Sequence, residues 1–150
     1  MIKRSQDEGN DTGRQPQTLT GGCLCGMIRY CVSGAPVSTN VCYCTQCQKQ
    51  TGAPLPAFAS YAAEQLTVLQ GNPKGYRSSE RAVREFCGDC GSTLFWREDG
   101  SPELDVFLGS FDEPSRIPPP RYAIWTSQRL AWLNEAANLP GYARAKDPAP

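Results

Sequence analysis

The sequence predicts a mainly β fold with little helix, held together in part by cysteines that bind metal. Most segments between the cysteine clusters alternate apolar and polar residues with a period of two, and helical periodicity is weak throughout. The chain of 150 residues contains 14 glycines and 13 prolines but only 39% hydrophobic residues. Because such a turn-rich chain builds a modest apolar core, we expect another stabilising element.

Seven segments predict β-strands. In residues 26–34, Ile28, Tyr30 and Val32 share one face of an alternating pattern. The other predicted strands contain aromatic and β-branched residues or alternate, and are bounded by turn-forming residues. They are residues 57–61, 66–70, 82–87, 92–99, 103–111 and 121–126.

Helix is predicted in two places only. A single turn is expected within residues 46–50 and another within residues 127–133. Three consecutive prolines at 118–120 predict an extended loop, because proline lacks the N–H that a helix or a central strand needs.

Composition and charge exclude several classes of function. Fifteen basic and fifteen acidic residues give no net charge, so nothing predicts an overall attraction to nucleic acid or to an anionic membrane. No run of 18 apolar residues predicts a membrane span. Residues 1–17 and 144–150 are predicted to be polar tails around one domain at 18–143. Residues 1–17 lack the apolar centre of an export signal, which predicts the reducing cytoplasm.

Four cysteines form two short pairs far apart in the sequence, Cys23 with Cys25 and Cys87 with Cys90. In a reducing compartment, eight cysteines indicate metal binding rather than four disulfides. A glycine follows each pair and permits a tight turn whose amides point at sulfur. Together the pairs can supply four thiolates to a closed, structural zinc site. The alternatives are reduced cysteines without metal, or a redox pair at Cys87 and Cys90.

A third cluster contains Cys42, Cys44 and Cys47, with the spacing C-x-C-x-x-C. Three thiolates favour zinc over magnesium or manganese, and three protein ligands leave the open position that a catalytic zinc needs. Open zinc can hold an external thiol, polarise a carbonyl or activate water. The cluster can instead be empty, partly oxidised or completed by Cys31, whose place in a predicted strand favours packing over metal binding.

The absence of histidine constrains the chemistry further. Ser-His and Cys-His nucleophilic machinery is excluded. Acid–base chemistry is left to Asp, Glu, Tyr, Lys, a bound water or the thiol of a substrate.

The order and spacing of five segments carry a resemblance to a known family. The segments are GGCLCGMIRY, CYCTQCQKQTGAP, REFCGDCGSTLFW, LDVFLGSFDEP and IWTSQRLAWL. Together they resemble the glutathione-dependent formaldehyde-activating enzyme family, also called the centromere-protein-V-like family, over about residues 19–142. The resemblance implies a β-tent of two antiparallel sheets with zinc knuckles, similar to methionine-R-sulfoxide reductases.

The resemblance also implies metal ligands and a reaction. Family members hold a structural zinc through the positions matching Cys23, Cys25, Cys87 and Cys90, and a second zinc through those matching Cys42, Cys44 and Cys47. The family activity condenses glutathione with formaldehyde to S-hydroxymethylglutathione, formally a carbon–sulfur lyase run in reverse. This implies two zinc ions per chain, glutathione as co-substrate, and a thiol and an aldehyde as the small-molecule partners.

Two positions depart from the family pattern. Tyr43 and Ala123 stand where many members carry histidine, which removes any proton transfer or substrate contact that those histidines make. The departure keeps a second interpretation open, a zinc-stabilised binding module without catalysis. A third interpretation is a reductase that uses Cys87 and Cys90 as a redox pair.

Glutathione carries two carboxylates, so its binding predicts cationic contacts. The candidates are Arg77, Arg84 and Lys49. Three aromatic residues can wall a pocket beside them, although core packing is the commoner role of such side chains. They are Phe58, Trp96 and Trp125.

Overall fold

The computed structural model describes residues 17–145, which fold into two β-sheets and one short α-helix. The strands are β1 Thr18–Gly22, β2 Arg29–Ser33, β3 Ser38–Cys42, β4 Ala57–Ala62, β5 Leu66–Gln70, β6 Lys74–Arg77, β7 Ala82–Phe86, β8 Thr93–Glu98, β9 Glu103–Phe107 and β10 Tyr122–Ile124. The helix α1 spans Thr45–Thr51. The predicted mainly β fold with two sheets is confirmed. The predicted tails fall outside the described residues, apart from positions 17, 144 and 145.

The smaller sheet has the strand order β1-β2-β5, and the larger has the order β10-β3-β4-β9-β8-β7-β6. All neighbouring strands are antiparallel except β10 and β3, which run parallel with Ile124 opposite Cys42. This one pair departs from the predicted antiparallel arrangement. This pairing places residues 122–124 at the edge of the larger sheet, beside the C-x-C-x-x-C cluster.

The main core contains side chains from both sheets. Tyr30 and Val32 from β2 are fully buried, as their alternation predicts. The Tyr30 ring packs edge-on against Phe95, with ring centroids 5.1 Å apart, and against Phe111 at 5.6 Å. Burial of these large apolar groups is the main favourable contribution to folding.

Local patterns find some elements and miss others. The helix expected at 46–50 is α1, while the turn expected at 127–133 appears as two short 3-10 turns, Thr126–Gln128 and Ala131–Asn134. Strands β1, β3 and β6 were not predicted, because their short sequences are rich in glycine or polar residues. Within residues 17–145, no helix has the length and apolar character needed to cross a membrane.

Leu94 tests the contribution of the core to stability. Its side chain is fully buried in the main core, whereas Leu69 on β5 is 59% exposed. We expect Leu94→Ala to lower the free energy of unfolding by about 2–5 kcal/mol, because it removes buried apolar contacts and leaves a cavity. The control Leu69→Ala should change it by less than about 0.5 kcal/mol. Urea unfolding measures both; equal losses would contradict this account of the core.

Candidate functional site

Two turns bring together the cysteine pairs that are distant in sequence. Cys23 and Cys25 lie between β1 and β2, and Cys87 and Cys90 lie between β7 and β8. Their four sulfur atoms all lie within 4.8 Å of one another, with Sγ distances of 3.5 Å from Cys23 to Cys25 and 3.7 Å from Cys25 to Cys87. A tetrahedral zinc site with Zn–S bonds of about 2.3 Å has sulfur separations of about 3.8 Å. The cluster could therefore hold a metal ion of that size.

Glycines after the pairs adopt the backbone conformation that these turns require. Gly26 has a φ of 78° and Gly91 a φ of 76°, in the left-handed region that other residues rarely adopt. The Gly26 N–H donates to the Cys23 carbonyl at 3.1 Å, and the Gly91 N–H donates to the Cys87 carbonyl at 2.9 Å. The Ile28 amide also donates to Cys23 Sγ at 3.2 Å. The Gly26 and Gly91 amides thus close the two turns, while the Ile28 amide points at a cysteine sulfur.

The three-cysteine cluster lies at the junction of β3 and α1. Cys42 ends the strand, Cys44 caps the helix, and Cys47 lies in its first turn. Their sulfurs are within 4.8 Å of one another, and Cys44 Sγ accepts the Cys47 amide N–H at 3.3 Å. Cys31 belongs to neither cluster. Three sulfurs could hold a metal ion and leave one corner of a tetrahedron for another ligand.

The thiols within each cluster differ in acidity. Hydrogen bonding to Ser92 lowers the pKa of Cys90 to about 5. Burial raises the pKa of Cys47 to about 12. Although burial opposes it, the Cys47 amide and the neighbouring thiols lower the pKa of Cys44. Each cluster therefore contains a thiol whose pKa lies below that of a free cysteine, which favours the thiolate form that binds metal.

A cavity of about 460 Å³ opens beside the three-cysteine cluster. All three cysteines line it, so a metal ion held there would face the cavity. The cavity lies on the face of the larger sheet that is opposite the main core, and its walls combine aromatic and polar side chains. These include Asn40, Phe58, Arg84, Trp96, Asp105 and Trp125. A partly apolar cavity with a few polar groups is typical of sites for small molecules.

Arg84 is the most unusual residue of this wall. Its side chain is only 4% exposed, and its Nη2 donates to Cys47 Sγ at 3.7 Å. The Nη1 atom is buried and has no hydrogen-bond partner among the described residues. Asn40, which is 5% exposed, has an unpartnered Oδ1 in the same wall. Buried polar groups without partners cost free energy, so both atoms are suited to a polar ligand.

Asp105 contributes the carboxylate of the cavity wall. The Ser60 hydroxyl donates to its Oδ1 at 2.6 Å, and Ser38 donates in turn to Ser60 at 3.1 Å. Burial raises the pKa of Asp105, while the Ser60 hydrogen bond acts in the opposite direction. A half-buried carboxyl with a shifted pKa beside a cluster of possible metal ligands is a candidate for ligand binding or catalysis.

The structure separates the three predicted cationic contacts. Arg84 lines the cavity. Arg77 lies on β6, where its Nη1 contacts Asp99 Oδ2 at 2.8 Å, and neither Arg77 nor Lys49 of α1 is among the lining residues. The three predicted aromatic residues, Phe58, Trp96 and Trp125, all line the cavity.

The two positions that carry histidine in many family members also lie outside the cavity lining. The Tyr43 side chain is buried, and the Arg129 guanidinium lies 5.4 Å from the centre of its ring. Ala123 is exposed on β10, opposite Val41. Sequence reasoning missed Asn40 and Asp105. Asp105 interrupts the apolar residues Leu104, Val106 and Phe107 of β9, a weak signal, whereas Asn40 follows two other polar residues in β3 and carries no distinguishing signal.

Comparisons with known proteins agree with this arrangement. The sequence model of the family described as "Glutathione-dependent formaldehyde-activating enzyme" matches residues 18–128. A Halomonas elongata protein, provisionally named a glutathione-dependent formaldehyde-activating enzyme, is 29% identical over 126 residues, which cover 77% of this chain and 79% of that protein. An uncharacterised lyase of Schizosaccharomyces pombe is 31% identical over 77 residues, covering 51% of this chain and 55% of the lyase.

A crystal structure of a Rhodobacter sphaeroides protein is similar in fold. It superposes with a TM-score of 0.54 at 23% sequence identity, covering 67% of this chain and 92% of the other. This likeness concerns the fold alone. The family model, in contrast, spans most of the sequence, including both cysteine clusters. The chain therefore belongs to the glutathione-dependent formaldehyde-activating enzyme family.

Proposed function

We propose that this chain is a carbon–sulfur lyase-type enzyme that adds a thiol to a small aldehyde. Glutathione is the expected thiol and formaldehyde the expected aldehyde, which gives S-hydroxymethylglutathione. The observation that carries the proposal is the three-cysteine cluster, which faces a cavity of about 460 Å³ with a buried arginine in its wall. Family membership and the names of the two relatives support the same class of reaction.

Zinc is the ion proposed for both clusters, with one ion at each. Four thiolates from Cys23, Cys25, Cys87 and Cys90 suit a closed structural site, and the sulfur distances fit it. Three thiolates from Cys42, Cys44 and Cys47 leave a position for a substrate thiol. Zinc bound there supplies Lewis acidity and favours the thiolate form of a thiol that joins it.

Arg84 is the charged residue of this chain that contacts the three-cysteine cluster. Three thiolates around a divalent ion carry a net negative charge, which the adjacent guanidinium offsets. The unpartnered Nη1 is available to a carboxylate of glutathione. The aromatic side chains of the wall give a small aldehyde an apolar surface to pack against beside the cluster. Overall, the proton lost from the thiol ends on the hydroxyl of the product.

The cysteines also bear on where this chemistry takes place. All eight are free thiols in the structure. Thiol ligands and a thiol substrate both require a reducing environment, and we propose the cytoplasm as that compartment.

Catalysis is tested by following formaldehyde loss in the presence of glutathione. The zinc-loaded protein should accelerate the loss above the spontaneous rate, and Cys44→Ala should return it to that rate because it removes one of three metal ligands. Cys31→Ala, a cysteine outside both clusters, is the matched control and should keep full activity. A wild-type rate equal to the spontaneous rate would reject the enzyme and favour the binding module.

The division between structural and open sites predicts different responses to substitution. Metal analysis should give two zinc ions per chain, of which a mild chelator removes one. Cys90→Ser should abolish cooperative unfolding, because structural zinc contributes free energy comparable to the stability of a whole domain. Cys44→Ser should retain the fold and lose about one zinc. Circular dichroism with metal analysis measures both; equal loss of fold in the two variants would contradict the division.

A further inference from the structure

Two side chains of opposite charge line the cavity without pairing with each other. Arg84 on β7 and Asp105 on β9 are both opposite Trp96 of the intervening strand β8, so all three lie in one row on one face of the sheet. With strands about 4.8 Å apart, the row places the Cα atoms of Arg84 and Asp105 about 10 Å apart. The ion pairs found within residues 17–145 include neither of them.

The described residues satisfy only part of the hydrogen-bonding capacity of the Arg84 guanidinium. Its Nη2 is directed at Cys47 Sγ, which fixes the guanidinium next to the three-cysteine cluster. Its Nη1 remains buried without an acceptor. A ligand oxygen that carries negative charge would complete the hydrogen bonds of this group, and a carboxylate matches guanidinium geometry well.

Among the described residues, Asp105 takes part in no ion pair. It accepts the Ser60 hydroxyl through Oδ1, and no hydrogen bond to Oδ2 is present within the described residues. Burial raises its pKa because the ionised form loses hydration, and the nearby charge of Glu103 acts in the same direction. An ammonium group in the cavity would stabilise the carboxylate by direct attraction.

We propose that the cavity recognises a thiol that carries an α-amino-acid group, with its carboxylate at Arg84 and its ammonium at Asp105. The identity of the ligand as a thiol rests on the proposed function. The zwitterion follows from the two unpaired charges in the wall. A ligand that lacks the carboxylate leaves the buried Nη1 of Arg84 without an acceptor, and a ligand that lacks the ammonium loses the attraction of the half-buried Asp105 carboxylate. Such differences in affinity let a site discriminate between ligands.

Two kinds of thiol share this chemistry. Free cysteine carries the zwitterion next to its sulfur, and glutathione carries it at the γ-glutamyl end. The cavity volume is within the range of small-molecule sites and admits ligands of this class. Arg84 lies beside Cys47, so a ligand held by both the cluster and Arg84 has its sulfur close to its carboxylate, as in free cysteine. Glutathione, in which this distance is longer, fits if it extends from the cluster towards Asp105.

Matched thiol pairs test the proposal by calorimetry on the zinc-loaded protein without any aldehyde. One pair is cysteine and 3-mercaptopropionate, and the other is glutathione and its glutaryl-Cys-Gly analogue; the second member of each lacks only the ammonium. We expect at least one pair to show about tenfold tighter binding of the zwitterion. The pair that discriminates identifies which thiol the cavity takes.

Substitution of Asp105 shows whether that discrimination comes from the proposed contact. Asp105→Asn should weaken binding of the zwitterionic thiol about tenfold and leave its ammonium-free partner unchanged. Glu64→Gln, an exposed carboxylate in the 3-10 turn Ala63–Gln65 that does not line the cavity, is the control and should change neither. Arg84→Lys should weaken both members of the pair, because both retain the carboxylate.

Three results would overturn the proposal. The first is equal binding of the two thiols within each pair. The second is discrimination that persists in Asp105→Asn, which would assign it to coordination of the amine to the metal. The third is no binding by any of the four thiols. Because no aldehyde is present, the outcome is separate from the catalytic test. A protein that selects the zwitterion but does not accelerate formaldehyde loss would contradict only the proposed reaction.

Discussion

Alternation of side chains along the central strands makes the core and the cavity two faces of one sheet. On β4, Ala59 and Tyr61 are fully buried in the main core, while Phe58 faces the cavity. On β9, Val106 belongs to the main core and Asp105 to the cavity. A one-residue slip of either strand would exchange these sets. Apolar burial on one face therefore fixes the register that positions the polar groups on the other.

The two cysteine clusters belong to different parts of this architecture. Cys23 and Cys87 lie in the main core cluster, where they join turns from both sheets across 62 residues between Cys25 and Cys87. Cys42 and Cys47 pack in a second, smaller cluster on the cavity side. A metal ion held by the first cluster would link segments that are distant in the sequence, whereas the three cysteines of the second lie within six residues, so a metal ion there would restrict the unfolded chain little. This placement supports the proposal of a structural role for one cluster and a chemical role for the other.

Features that depend on neighbouring residues could be predicted from the sequence. The cysteine spacings and the glycines after the pairs indicate the knuckles, and the alternation of residues 28–32 indicates a buried strand face. The bounds of β1, β3 and β6 depend on their partners in the sheets, because their own residues have weak strand preference. The placement of Arg84 and Asp105 in one row of the cavity wall depends on the registers of three strands, which local patterns do not specify.

The direction of the Tyr43 side chain follows from the same alternation, here along Cys42, Tyr43 and Cys44. In extended backbone, residues i and i+2 point to one side and the residue between them points to the other. Cys42 and Cys44 both line the cavity, while the Tyr43 ring packs behind them against Arg129. The residue between the two cysteines is therefore directed away from the cavity in this chain. The polar side chains of the cavity wall, among them Asn40, Arg84 and Asp105, lie on the sheet strands, so the cavity keeps charged groups although the chain contains no histidine.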